Sequence, residues 1–241
     1  MIRRSLAVVL LAVLATTSGC AALGPSPVDA DRLTADADYD WTTDANVTIT
    51  VGPDRYQAVY RISNRSRLTL YQYQRFNNKR PFDPEAARFR YPNGTVVTIG
   101  PGAVEKTRSG TTITLPAERG QLGLRAPKTG KRIRAPTVVE GSYEVVLPEG
   151  AWVRFPFLGR VIPRGYDRTV EDGRVHIRWG EIERDRIVVQ YYLVRDLLIL
   201  GGLLVIAGVL LVGGLLYFWL QLRSLRERRE QVAIEGDSGE P

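Results

Sequence analysis

The stretch LLILGGLLVIAGVLLVGGLLYFWL, residues 197–220, runs 24 positions without a charged side chain. A helix rises about 1.5 Å per residue, so this stretch spans roughly 36 Å, against about 30 Å of hydrocarbon in a bilayer. Asp196 bounds it on one side, and Arg223, Arg226, Arg228 and Arg229 crowd the other. A core helix of a soluble protein is shorter and carries a polar stripe. The stretch is therefore read as one C-terminal transmembrane helix, and the rest of the chain follows from which side of it each segment occupies.

Basic residues stay on the cytoplasmic side of a span, so the arginine cluster places the tail, residues 221–241, inside and the preceding chain outside. The tail opens with an arginine-rich helical turn and is expected to end acidic and unstructured. Tyr217 and Trp219 are expected at the inner interface, and Tyr191 and Tyr192 at the outer one, as an aromatic belt. The other end of the chain agrees. Arg3 and Arg4, an apolar run over residues 6–15 and small residues up to Gly19 make a secretory signal over residues 1–19. Cys20 follows Gly19, where lipoprotein processing places the lipidated residue, although Thr17 stands where that signal usually has leucine. Arg3-Arg4-Ser5-Leu6 leaves the export route open between the general and twin-arginine pathways. Three sequons begin at Asn46, Asn64 and Asn93, all in the exported region, and are candidate glycosylation sites.

Between leader and span about 170 residues remain, enough for one sizeable or two small domains. Fourteen prolines and 23 glycines are scattered between short apolar runs, the pattern of an all-β chain. Tyr56, Ala58, Tyr60 and Ile62 alternate with polar residues as a half-buried strand does. Strands are expected likewise at 47–51, 67–75, 95–99, 104–108, 111–115, 121–125, 142–147, 152–155 and 186–193, and around the alternating Ala87, Phe89 and Tyr91. Residues 168–171 and 174–179 flank Asp172-Gly173, a strong hairpin signal. In its second strand His176 is expected on the surface, with no second histidine or cysteine to make it a metal ligand. The expected fold is an all-β ectodomain, an immunoglobulin-like sandwich or two, followed by the single helix.

Charge divides the chain further. Residues 29–54 carry seven acids against Arg32 alone, residues 55–134 carry 17 basic residues against four acids, and residues 135–195 carry nine of each. The expected layout is an acidic tether over 20–45, a basic β domain over 46–134 and a neutral membrane-proximal β domain over 135–195. The boundary falls in a basic, proline-bracketed segment, residues 126–137 (APKTGKRIRAPT). Arg125, Lys128, Lys131, Arg132 and Arg134 are the candidate contacts to an anionic partner. An acidic surface-layer glycoprotein, a charged glycan or lipid headgroups all fit; nucleic acid is not expected on the exported side. In molar salt the Debye length is about 3 Å, so only direct contacts would count there.

Catalytic and cofactor chemistry is not expected. One cysteine excludes an intrachain disulfide, and one histidine and one methionine leave little for a metal site. The alternating Asp36, Asp38 and Asp40 resemble a calcium loop, but Trp41 and Val47 stand where an EF-hand needs glycine and glutamate. Thr129-Gly130-Lys131 lacks the spacing of a phosphate loop. No G-x-S-x-G, G-x-G-x-x-G or H-E-x-x-H occurs. Nor do the glycines of the span make a G-x-x-x-G pair.

FRYPNGTVV (89–97), VEGSYEVVLPEG (139–150), DGRVHIRW (172–179) and QYYLVRDLLILGG (190–202) resemble an uncharacterised family of halophilic archaea. The resemblance implies a lipoprotein-like chain with a β ectodomain, one C-terminal span and an arginine-rich tail. It carries no catalytic residue to transfer. The resulting expectation is a non-catalytic cell-envelope membrane protein that links the bilayer to an anionic envelope component. The alternative is an accessory subunit of a membrane complex, recruited through the helix and the membrane-proximal domain.

Overall fold

The computed structural model describes residues 27–73, 78–128, 130–155 and 158–237. The signal at 1–19, Cys20 and the last residues of the tail lie outside them.

Seventeen strands follow one short helix, α1 (Ala30–Thr34), among the described residues. The first nine are β1 (Val47–Val51), β2 (Arg55–Ser63), β3 (Arg67–Tyr73), β4 (Lys79–Pro81), β5 (Glu85–Arg90), β6 (Val96–Thr98), β7 (Val104–Lys106), β8 (Thr111–Thr114) and β9 (Arg119–Pro127). The others are β10 (Arg132–Pro136), β11 (Tyr143–Val146), β12 (Ala151–Trp152), β13 (Arg160–Ile162), β14 (Asp167–Glu171), β15 (Arg174–Trp179), β16 (Arg186–Gln190) and β17 (Tyr192–Leu193). Most expected strands form within a residue or two of their expected limits. The alternation in β2 and β15 does what the pattern requires: Tyr56, Ala58, Tyr60 and Ile62, then Val175, Ile177 and Trp179, are buried. At the β14–β15 turn Asp172 and Gly173 both take positive φ, 48° and 73°, as a type I′ hairpin demands.

The main sheet has eight strands in the order β14-β15-β11-β1-β2-β9-β5-β6. Its pairings are antiparallel except β1 with β11, which run parallel from Val47↔Tyr143 to Thr50↔Val146. Smaller sheets are β4-β3-β8-β7, β10-β16-β13 and β12-β17. An immunoglobulin sandwich divides its seven to nine strands between two layers; here one sheet alone has eight.

The expected limit between residues 134 and 135 falls inside β10. Strands from both sides of it share the main sheet, and one buried cluster takes in Ile49, Leu70, Leu122, Ile133, Val145 and Val189. Charge counts along the sequence mark a change of surface, not of core.

The acidic segment also differs from a free tether where it is described. Asp29 caps α1 by accepting from the Arg32 amide at 3.2 Å, and Leu33 is wholly buried. Tyr39 donates its hydroxyl to the Ala86 carbonyl at 2.7 Å. Gly123 of β9 leaves room for this segment: a Cβ there would lie 2.9 Å from both the Tyr39 and the Trp41 ring. The apolar side chains between the aspartates fix the segment on the sheet, and Arg88 clasps it by donating to the Thr34 and Ala35 carbonyls and to Asp36.

After β17 the chain enters α2 (Val194–Asp237), whose Val194–Arg223 portion is long and apolar enough to cross a membrane, with residues 198–223 exposed. The helix extends well past the expected single turn of the tail. Residues 221–235 contain neither glycine nor proline and are rich in leucine, arginine, glutamate and glutamine, all good helix formers.

Candidate functional site

The basic segment at 126–137 folds as a corner that closes on the start of the helix. The Lys128 amide donates to the Asp54 carbonyl at 3.1 Å, Gly130 turns the chain at a φ of 57°, and β10 then pairs antiparallel with β16. Ile133 and Ala135 enter the core with Ile187 and Val189, so alternation turns Arg132 and Arg134 outward. The Tyr191 amide donates to the Lys131 carbonyl at 3.0 Å, and Lys131 forms an ion pair with Asp196 in the first turn of α2. A corner far away in sequence is thus fixed at Tyr191, just before the helix, and at Asp196, in its first turn.

These contacts enclose a groove of about 710 Å³, within the range of small-molecule sites. Its lining includes Lys128, Lys131, Arg132 and Arg134 from the corner, Leu158, and Leu197 and Leu200 of the helix. Tyr191 and Tyr192 lie in its wall. The charges are unevenly satisfied. Lys131 has Asp196; Lys128 donates to the Gly130 carbonyl at 2.7 Å and lies 5.7 Å from the Tyr191 ring centre; Arg132 donates to the Gln190 side-chain oxygen, its Nε at 3.0 Å. Arg134 has no partner among the described residues. Lys128, Arg132 and Arg134 therefore line the groove without a carboxylate partner among the described residues, while Asp196, in the same lining, is taken up by Lys131.

Four of the five residues expected to meet an anion are brought together in this groove. Arg125 is not: it sits in the main sheet and donates to the Asp36 carbonyl at 3.4 Å. Tyr191 and Tyr192 are corrections to the expected outer belt. Both are buried, because β16 and β17 carry them into the domain before the helix begins. Leu158 lines the groove with Leu197 and Leu200 of the helix, and Phe155 is 55 % exposed with its ring 6.0 Å from that of Tyr192. The sequence signal for Gln190 and Asp196 is weak, since each acquires its part only through strand pairing and the corner's return to the helix.

The three sequons differ in setting. Asn64, at a φ of 57°, and Asn93 are exposed in turns, whereas Asn46 is half-buried and bonded to Ser142. A second charged cluster lies at the end of the main sheet. Glu144 accepts from Arg178 Nε at 2.8 Å and lies 2.8 Å from His176 Nδ1, while Arg178 forks onto Glu171 at 2.8 and 3.0 Å. That guanidinium, with a hydrogen bond from Thr169, holds the Glu171 carboxyl below the usual glutamate range. His176 is thus half-buried and engaged, not a bare surface residue. Among the described residues, no group of three or more His, Cys, Asp and Glu side chains is placed to share a metal ion.

No curated protein matches the chain. Residues 43–237 match DUF5803, a stretch that takes in every strand, the cationic groove and the apolar helix. The chain therefore belongs to the DUF5803 family, a family of unknown function.

Proposed function

We propose that this chain is a non-catalytic cell-envelope protein, a lipoprotein through Cys20, with its β domain exported and its tail cytoplasmic. The β domain holds an anionic component of the envelope against the membrane. The observation that carries this reading is the convergence of Lys128, Arg132 and Arg134, without carboxylate partners, beside the first turns of an uncovered apolar helix. Contact geometry matters more than long-range attraction, because in the salt of the halophilic lineage that the sequence resembles a charge is screened within about 3 Å.

The same proposal takes the β domain as a sandwich in which the smaller sheets cover the main one. All of them send apolar side chains into one cluster. The Tyr143 hydroxyl bonds back to the backbone of Val139, four residues upstream, as a tyrosine corner does in β-sandwiches.

Reversing charge with Arg132→Glu and Arg134→Glu in the full chain tests the reading. Release of the protein from envelope fractions, with its membrane insertion intact, is the expected result. Undiminished retention, lost instead when the span is replaced by a plain leucine helix, would favour an accessory subunit recruited through the helix. Intact mass of the native protein beside a Cys20→Ser form tests the lipid: mature mass from residue 20 plus a lipid is expected, and a bare or leader-bearing mass removes that anchor.

A further inference from the structure

We propose that the groove is a seat for one anionic phospholipid of the leaflet the helix enters. Its phosphate would lie on Lys128, Arg132 and Arg134, and the upper part of its tails along Leu158, Leu197 and Leu200. This rests on reading the groove as an anion site at a membrane surface, and it names the occupant.

Two features of one cavity select a lipid over a soluble anion. First, the lining carries two chemistries: three cations without carboxylate partners, all from the corner at 128–134, and three leucines, two of them on the helix. A sugar phosphate or an acidic peptide leaves those leucines unpaired, whereas a phospholipid meets both with matching chemistry. Second, the depth is right. Leu197 and Leu200 open the apolar run, and Leu203 and Leu204, one turn further along the helix, are exposed, so the groove opens where headgroups give way to hydrocarbon. The ion pair of Lys131 with Asp196 holds the corner against the helix and leaves its neighbours' charges for the ligand.

The test uses the full chain purified in neutral detergent and offered equal parts of phosphatidylglycerol and phosphatidylcholine with identical tails, with retained lipid read by native mass spectrometry. Each lysine or arginine at an anionic lipid surface supplies about a fivefold preference, so Lys128→Ala with Arg134→Ala should cut the preference for phosphatidylglycerol about 25-fold. Glutamine at both positions serves if alanine unsettles the sheet. Arg223→Ala, at the far end of the span, should leave it unchanged. Leu158→Ser should weaken retention of phosphatidylglycerol without restoring phosphatidylcholine. Equal retention of the two lipids by the wild type, or an unaltered preference in the double variant, overturns the proposal. Competition by free glycerol phosphate as strong as by the intact lipid also overturns it, because the site would then be a soluble phosphate site. The two readings separate: if the lipids are retained equally yet the Arg132 and Arg134 reversals still release the protein from the envelope, the anion site stands and only its occupant is wrong, whereas reversals that leave the protein in place remove the underlying reading.

Discussion

Asn46 and Ser142 stand 96 residues apart and hold each other through three hydrogen bonds. The Ser142 amide and hydroxyl donate to Asn46 Oδ1 at 3.1 and 3.0 Å, and the Asn46 amide donates to Ser142 Oγ at 3.1 Å. The pair lies where β1 and β11 begin to run parallel, the pairing that joins the two halves of the main sheet. Gly141, at a φ of 110°, is required beside it, since a Cβ there would come within 2.5 Å of Asn46 Oδ1. Parallel strands have no hairpin to set their register, so a side-chain bridge at their start does it. Asn46→Ala leaves the Ser142 amide without its acceptor and should destabilise the fold by about 1–3 kcal/mol. Asn46→Asp, which keeps the acceptor, should lose less. Thermal unfolding of the three chains in the same detergent would show the order, and an alanine form that melts with the wild type would mean the bridge contributes nothing.

The same bridge sorts the sequons. Asn46 uses its side-chain oxygen inside the fold, while Asn64 and Asn93 stand exposed. Glycan added to the folded domain should therefore be found on Asn64 and Asn93 and not on Asn46. Peptide mapping of protein secreted by a glycosylating host checks this; a glycan on Asn46 with the other two bare would contradict the accessibility order.

The acidic segment before β1 belongs to the core. Leu33 is fully buried, and removing its side-chain atoms beyond Cβ with Leu33→Ala should cost about 2–5 kcal/mol, where a free tether would lose nothing. From the other side of the contact, Gly123→Ala places a methyl against the Tyr39 and Trp41 rings. It should cost about 1–3 kcal/mol and shift tryptophan emission to the red as Trp41 is lifted off the sheet. Unchanged stability in both variants would return the segment to solvent.

Local patterns carried most of the strand assignments because alternation and turn chemistry are written within a few residues. The Asp172-Gly173 hairpin and the Tyr56–Ile62 alternation are of this kind. What depends on distant partners was not legible. β10 reads as a linker, RIRAP between turn residues, and is a strand only because β16 pairs with it across some fifty residues. Lys79 to Pro81 has no apolar alternation of its own and is a strand only because β3 pairs with it. The aspartates of the acidic segment conceal Leu33, Tyr39 and Trp41, which decide its packing. Of the groove, the cations were visible as a basic run, while the direction of Arg125 away from it and the arrival of Asp196, Leu197 and Leu200 beside it are consequences of topology.

Buried tyrosines set an alkaline limit on the fold. Burial pushes the Tyr143 phenol up to about 12, with hydrogen bonding to the Val139 backbone as a smaller, opposing influence, and burial also raises Tyr56 and Tyr60. In the unfolded chain a tyrosine ionises near pH 10. Above that pH the unfolded state binds fewer protons than the folded one, so stability is complete below about pH 10 and falls as pH rises toward the folded value. For Tyr143 alone the loss approaches about 2–3 kcal/mol once pH exceeds both values. Unfolding free energies measured near about pH 8 and about pH 11, with tyrosinate absorbance followed in parallel, should show the fold weakening before Tyr143 ionises within it. Tyr143→Phe gives up the hydrogen bonds to Val139 and should be less stable at neutral pH, yet its decline with pH should be shallower because one of the protons is gone. An equally steep decline in that variant would show that Tyr143 ionises as readily inside the sheet as outside it.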